Sequence, residues 1–129
     1  MKALKLISLM LVLGVFTYKL KANANDLDPT IQLRTKLNLK LAQANLKDAT
    51  QYFNSGIEHY KRGFARSHLG DSQEAKADYT KAIVNFTKAI EINPNYAQAY
   101  YYRGFARSDS GDGQGAKADY TKAIEINPN

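Results

Sequence analysis

Cysteine is missing from all 129 residues. That excludes disulfides, thiolate chemistry and cysteine-ligated metal sites, while leaving the compartment open, since an exported protein can do without disulfides. Acidic residues are missing before Asp26, whereas Lys2, Lys5, Lys19 and Lys21 all fall in that stretch. The formal charge of +6 is therefore concentrated at one end; residues 25–129 carry 14 basic and 12 acidic groups. A nucleic-acid partner needs a concentrated basic face, and this remainder has none. A long apolar run is also lacking. Leu6 to Phe16 is apolar but far short of the roughly 20 residues that cross a bilayer.

What stands at that end has the order of an export signal: a positive start at Lys2 and Lys5, the short apolar run, then the small residues Ala22-Asn23-Ala24. Residues 1–24 are expected to be a signal peptide cleaved near Ala24, placing the chain in the periplasm or outside the cell with no stable membrane span after removal. An uncleaved anchor is the competing reading.

The strongest feature of the chain is internal repetition. Residues 62–83, RGFARSHLGDSQEAKADYTKAI, return at 103–124 as RGFARSDSGDGQGAKADYTKAI, identical at 18 of 22 positions and displaced by 41. Residues 86–95, FTKAIEINPN, return at 120–129 displaced by 34. The difference is one heptad, so YTKAI at 79–83 is followed by FTKAI at 86–90 within the first copy alone. Self-similarity at this spacing indicates stacked helical hairpins.

Local chemistry supports hairpins in both copies. Gly104 and Ala116 lack bulk where two antiparallel helices approach, with Tyr100 and Tyr120 filling the space beside them. Gly111 and Gly70 suit the left-handed residue that ends a helix. Asp112 and Asp71 stand where the next helix is capped, Asp71 with Glu74 in capping-box spacing. Gly113 and Gly115 should soften the start of the last helix. Pro128 ends it by pushing Asn127 out of helical geometry.

Tyr100, Gly104, Gly111, Ala116, Tyr120, Ala123 and Pro128 fall on the pattern of the tetratricopeptide repeat family, which this chain resembles closely over 97–129 and in altered form over 49–96. The implied fold class is all-α, a short α-solenoid of antiparallel helical hairpins. The extra heptad returns an α-helix to nearly the same face after two turns, about 10.5 Å. A second helix from about Ser72 to Ile92 results. Tyr52, Gly56 and Gly63 repeat the aromatic, small-residue and turn positions seven residues early, so the first helix is expected to have gained a matching heptad. The expected organisation is 49–95 as an elongated repeat and 96–129 as an ordinary one. The alternative is a duplication scar whose extra turns fray. Residues 25–48 mix an opening Asp28-Pro29 with strand-like alternation at Leu37, Leu39 and Leu41, and are expected to form a linker or irregular N-terminal arm.

Candidate chemistry is sparse. GDGQGAKAD has glycines at 111, 113 and 115 but neither a preceding strand nor a following Gly-Lys-Ser or Gly-Lys-Thr, so a turn is expected rather than a phosphate loop. The calcium-loop spacing after Asp109 is incomplete. His59 and His68, nine apart, face different ways. No catalytic residue, cofactor or metal is assigned, and no nucleophile motif joins serine, histidine and aspartate. The arginines Arg62, Arg66, Arg103 and Arg107 occupy positions the family fills with leucine and tyrosine. They are expected to lay their methylenes along the packing surface with their heads in water, or else to form a basic row that meets an acidic ligand.

The family resemblance implies a non-enzymatic scaffold that binds a peptide or protein segment on its concave face. The matching protein-binding positions are Tyr60, Phe64, Asn95, Gln98, Tyr101, Phe105 and Asp109. Relatives that clamp a C-terminal carboxylate carry lysine and asparagine where Tyr60, Phe64, Tyr101 and Phe105 stand, so a ligand of that kind is not expected. The alternative reading is self-association: the repeats stop at Asn129 without a solvating cap helix, so Ile124 and its neighbours are left for a second copy to cover.

Overall fold

A computed structural model describes residues 28–128, all in helices and short connections. The export-signal reading of residues 1–24 lies outside the described residues. Four helices follow in order: α1, Pro29–His68; α2, Ser72–Ile92; α3, Ala97–Ser110; α4, Gly113–Ile126. The chain divides into two units, residues 1–40 and 41–129.

The described part of the first unit, residues 28–40, corrects one expectation. It is helical from Pro29 rather than irregular. Asp28 caps it, accepting from the Thr30 backbone N–H at 2.7 Å, and Pro29 takes the first position, where a missing N–H costs nothing. The residues that follow are mostly good helix formers, and Leu33, Leu37 and Leu39 remain exposed.

In the second unit α1 buries Ala49, Gly56 and Gly63, one residue per heptad. Opposite them α2 buries Tyr79 and Phe86, also a heptad apart. A methyl group built on Gly56 would stand 2.6 Å from the Phe86 ring, and one on Gly63 2.9 Å from the Tyr79 ring. Gly104 of α3 meets Tyr120 of α4 in the same way, at 2.6 Å. The first hairpin thus repeats the glycine-on-ring contact twice where the second makes it once. Both of its arms are elongated in register, as the doubled sequence predicts.

The extra turns carry core rather than fray. Phe86 and Ala89 have no exposed surface. Phe86 packs with Ala82 and with Ala106 of α3, flanked by Phe53, Ile57 and Tyr102. Ala89 and Ile90 pack with Ala99, flanked by Tyr52, Tyr96 and Tyr100. The added heptad therefore supplies much of the surface on which the second repeat sits.

The ends follow local rules with one reversal. Gly70 and Gly111 adopt φ of 87° and 96°, the left-handed geometry in which a side chain would be strained. Asn93 and Asn127 turn extended before Pro94 and Pro128. The reversal is in capping. Asp71 makes no side-chain cap bond, whereas Asp112 accepts from the Gly115 N–H at 2.9 Å. A methyl group on Gly115 would stand 2.1 Å from that carboxylate, and Glu74 carries such a carbon at the corresponding place. Gly115, expected to weaken α4, is what lets Asp112 fold over its start.

Gly56→Ala and Gly104→Ala should each cost about 1–2 kcal/mol, the overpacking against a ring outweighing roughly 1 kcal/mol of gained helix propensity. Urea unfolding of the full chain measures this. A loss at position 104 with none at position 56 would show that the added heptad is not packed.

Candidate protein-interaction face

Tyr60 and Phe64 lie one turn apart on α1, and Tyr101 and Phe105 one turn apart on α3, so each helix presents two rings on one face. The packing of the repeats merges the pairs into one ladder. Phe64 lies 6.4 Å from Tyr60, Tyr60 6.2 Å from Phe105, and Phe105 4.8 Å from Tyr101, ring centre to ring centre. Its back rests on α2 and α4: Tyr60 on Tyr79 and Tyr101 on Tyr120, both at 5.8 Å. The middle rings are half-buried, while Phe64 and Tyr101 at the two ends are 48% and 47% exposed.

Asp109 stands one turn beyond Phe105 and accepts a hydrogen bond from the Tyr60 hydroxyl at 3.0 Å, tying α1 to α3. Burial and then this carboxylate push the Tyr60 hydroxyl well above its ordinary range. Tyr79 and Tyr120 are also pushed up, by burial first and the charge of Asp109 second. Five of the seven positions named from the sequence, Tyr60, Phe64, Tyr101, Phe105 and Asp109, therefore come together. Gln98 is exposed one turn before Tyr101 on the same face, and Asn95 sits in the connection ahead of α3, its N–H bonded to the Asn93 side chain at 3.2 Å.

The four arginines do not form a free basic row, because both copies set them on a buried aspartate, with Arg62 and Arg66 still 48% and 40% exposed and Arg103 and Arg107 only 12% and 26%. Asp78 is buried on the apolar face of α2. Arg62 reaches it through Nε at 2.9 Å and Nη2 at 2.6 Å, and Arg66 through Nη1 at 2.7 Å. In the second copy Arg103 and Arg107 grip Asp119 with the same atoms, at 2.9, 2.6 and 2.9 Å. Each triad has a local addition. Arg62 donates to His59 Nδ1 at 2.7 Å, and Arg103 reaches across to Thr87 of the preceding repeat at 3.0 Å. The arginines are thus internal fasteners, and the free basic row does not exist. The signal was present in the sequence: Ala75, Asp78, Tyr79 and Ala82 recur as Ala116, Asp119, Tyr120 and Ala123, placing a carboxylate inside an apolar helical stripe in both copies.

Among the described residues no group of three or more histidine, aspartate or glutamate side chains could hold a metal, and no helix is long and apolar enough to cross a membrane. A shallow depression on α4, lined by Gln114, Lys117, Ala118, Thr121, Lys122 and Glu125, is open to water. It shares no residue with the ring ladder.

Two hairpins packed in series, each closed by a small residue against a ring, define a short α-solenoid. Family models for the TPR repeat match residues 75–111, and models for the tetratricopeptide repeat match 59–84 and 97–129. The chain belongs to the tetratricopeptide repeat family. The match over the first copy ends at Val84, just before the added heptad, and the match over 75–111 takes α2 and α3 as a pair. No curated protein matches the chain.

The arginines hold the Asp78 carboxyl down to about 2, from an ordinary 3.8, chiefly through the Arg62 hydrogen bonds. Its contribution is complete above about pH 4 and is lost as pH falls toward 2, amounting to about 1–2 kcal/mol after allowance for the half-exposed arginines. Urea midpoints from pH 5 to 2 should show this loss, and Asp78→Asn should abolish it. At neutral pH Asp119→Asn should cost more, about 3 kcal/mol, because the Arg103 side chain is 12% exposed against 48% for Arg62 and cannot turn to water.

Proposed function

We propose that this chain is an exported, non-enzymatic interaction module that binds a peptide or protein segment along the ladder Phe64–Tyr60–Phe105–Tyr101, with polar contacts from Asn95, Gln98 and Asp109. Tetratricopeptide repeats commonly mediate protein–protein interactions. The observation that carries the reading is the exposure of Phe64 and Tyr101, at 48% and 47%, on either side of two half-buried rings. Aromatic surface of this kind supplies most of the binding energy where it becomes covered. Export rests on the order of residues 1–24.

Self-association is a second reading, favoured by one observation. Ile124 is 63% exposed, whereas its counterparts in the first copy, Ile83 and Ile90, pack into clusters that include Ala106 and Ala99 of the following repeat. A second copy laid over α4 would complete the same contact.

The full chain, used as bait in extracytoplasmic extract, should retain a partner that Tyr101→Ala and Phe64→Ala lose while staying helical by circular dichroism. Both side chains are half-exposed, so their removal should leave the fold intact. Partners held equally by all three baits would remove the ladder from the binding site. For the second reading, sedimentation equilibrium should show association of the wild type that Ile124→Glu weakens at least tenfold; a monomer at all concentrations eliminates it.

A further inference from the structure

Asp109 has a charge that the fold does not neutralise. Among the described residues Arg62, Arg66, Arg103 and Arg107 are engaged with Asp78, Asp119 and Asp112, and no cation pairs with Asp109. Its side chain is exposed and takes one hydrogen bond, from Tyr60, leaving most of a carboxylate's four acceptor positions open. Around it are aromatic groups. Phe105 lies one turn back on α3, Tyr60 is bonded to it, and its charge is felt at Tyr79 and Tyr120 as well.

The hairpin itself does not require an acid here. Over the stretch identical at 18 of 22 positions, this is one of the four that differ: the first copy has His68. His68 turns back on its own helix, donating from Nδ1 to the Phe64 carbonyl at 2.9 Å and packing on the Phe64 ring at 4.3 Å. The same helical position is thus closed by an imidazole beside Phe64 in the first copy and left as an open carboxylate beside the middle rings, Tyr60 and Phe105, in the second.

Building on the interaction face proposed above, we propose that Asp109, with Phe105, Tyr101 and Tyr60, forms a subsite for a positively charged lysine or arginine side chain of the bound peptide. A cation beside ring faces gains from their negative quadrupole, and the carboxylate beside Tyr60 and Phe105 fixes where its head rests. The aliphatic stem of the same side chain lies along Tyr101 and Phe105. An acidic ligand residue at this place meets the unpaired charge of Asp109 and is rejected, which also separates this face from one that captures carboxylates.

Selection of a random twelve-residue peptide library on the immobilised full chain tests the assignment. Peptides with a lysine or arginine at one position should be enriched. The strongest should bind Asp109→Asn about tenfold less tightly, and replacing its basic residue by glutamine should cost at least that factor on the wild type but clearly less on Asp109→Asn, where only the rings still favour the charge. The asparagine keeps an acceptor for the Tyr60 hydroxyl, so the tie between α1 and α3 remains and unchanged thermal unfolding confirms it. Peptides without a basic preference, or undiminished binding to Asp109→Asn, overturn the subsite while leaving the face standing if Tyr101→Ala still abolishes binding. Binding indifferent to Tyr101→Ala and Phe64→Ala, or a library that yields no binder, removes the face and the subsite together.

Discussion

The close approach of α1 to α2 and of α3 to α4 depends on a glycine lying flat against an aromatic ring. A helix that presents glycine lets its neighbour's ring reach the backbone, and the dispersion contacts made there are available only at that distance. Gly104 on Tyr120 makes this contact once, and Gly63 on Tyr79 with Gly56 on Phe86 makes it twice along one seam. Because seven residues return a helix to nearly the same face, an added heptad reproduces the contact in register instead of disrupting it. The seam then carries Phe86 and Ala89 into the ground on which Ala99 and Ala106 of the next repeat stand.

The same short distance makes a buried carboxylate tolerable. Asp78 and Asp119 sit one residue before the packing tyrosines, in surroundings where an isolated charge would be costly. Arginines one turn apart on the facing helix reach each of them with three nitrogen donors, two from the first arginine and one from the second, which satisfies the oxygens and orients the hairpin. Arg62 and Arg66 stay 48% and 40% exposed while engaged, and Arg107 also meets Asp112. The exposed ladder itself presents aromatic rings and the carboxylate of Asp109.

That division of labour separates holding the repeats together from meeting a partner. Gly63 on Tyr79 and Gly104 on Tyr120, and the Arg–Asp–Arg groups, are the same in both copies, and they lie between the helices of each hairpin. Position 68 differs from position 109, the one beside Phe64 and the other beside the middle rings of the exposed ladder. At these two positions packing does not dictate the residue. A surface of this kind can acquire a specific ligand without disturbing the hairpins beneath it.

Much of the architecture was legible in the order of residues because helical periodicity and chain reversal are local properties. The repeat displaced by 41, the heptad that reduces it to 34, the left-handed glycines and the prolines beyond the last turns all foretold α2, α3, α4 and the elongated first hairpin. Residues 25–48 are expected to be a linker or irregular arm because Leu37, Leu39 and Leu41 alternate as in a strand, yet their described part is helical from Pro29. Asp112 caps α4 as its position implies, but the value of Gly115 lies in the space it leaves for that carboxylate, which propensity does not show. Sequence by itself determined which segments are helical hairpins, which face of each is apolar, and that the added heptad would stay in phase. Only the tertiary structure decided that the arginines turn inward to buried aspartates, that the rings of two repeats join into one ladder, and that Asp109 is left unpaired. Those outcomes depend on distances between residues 12 to 49 positions apart, which periodicity along one helix does not encode.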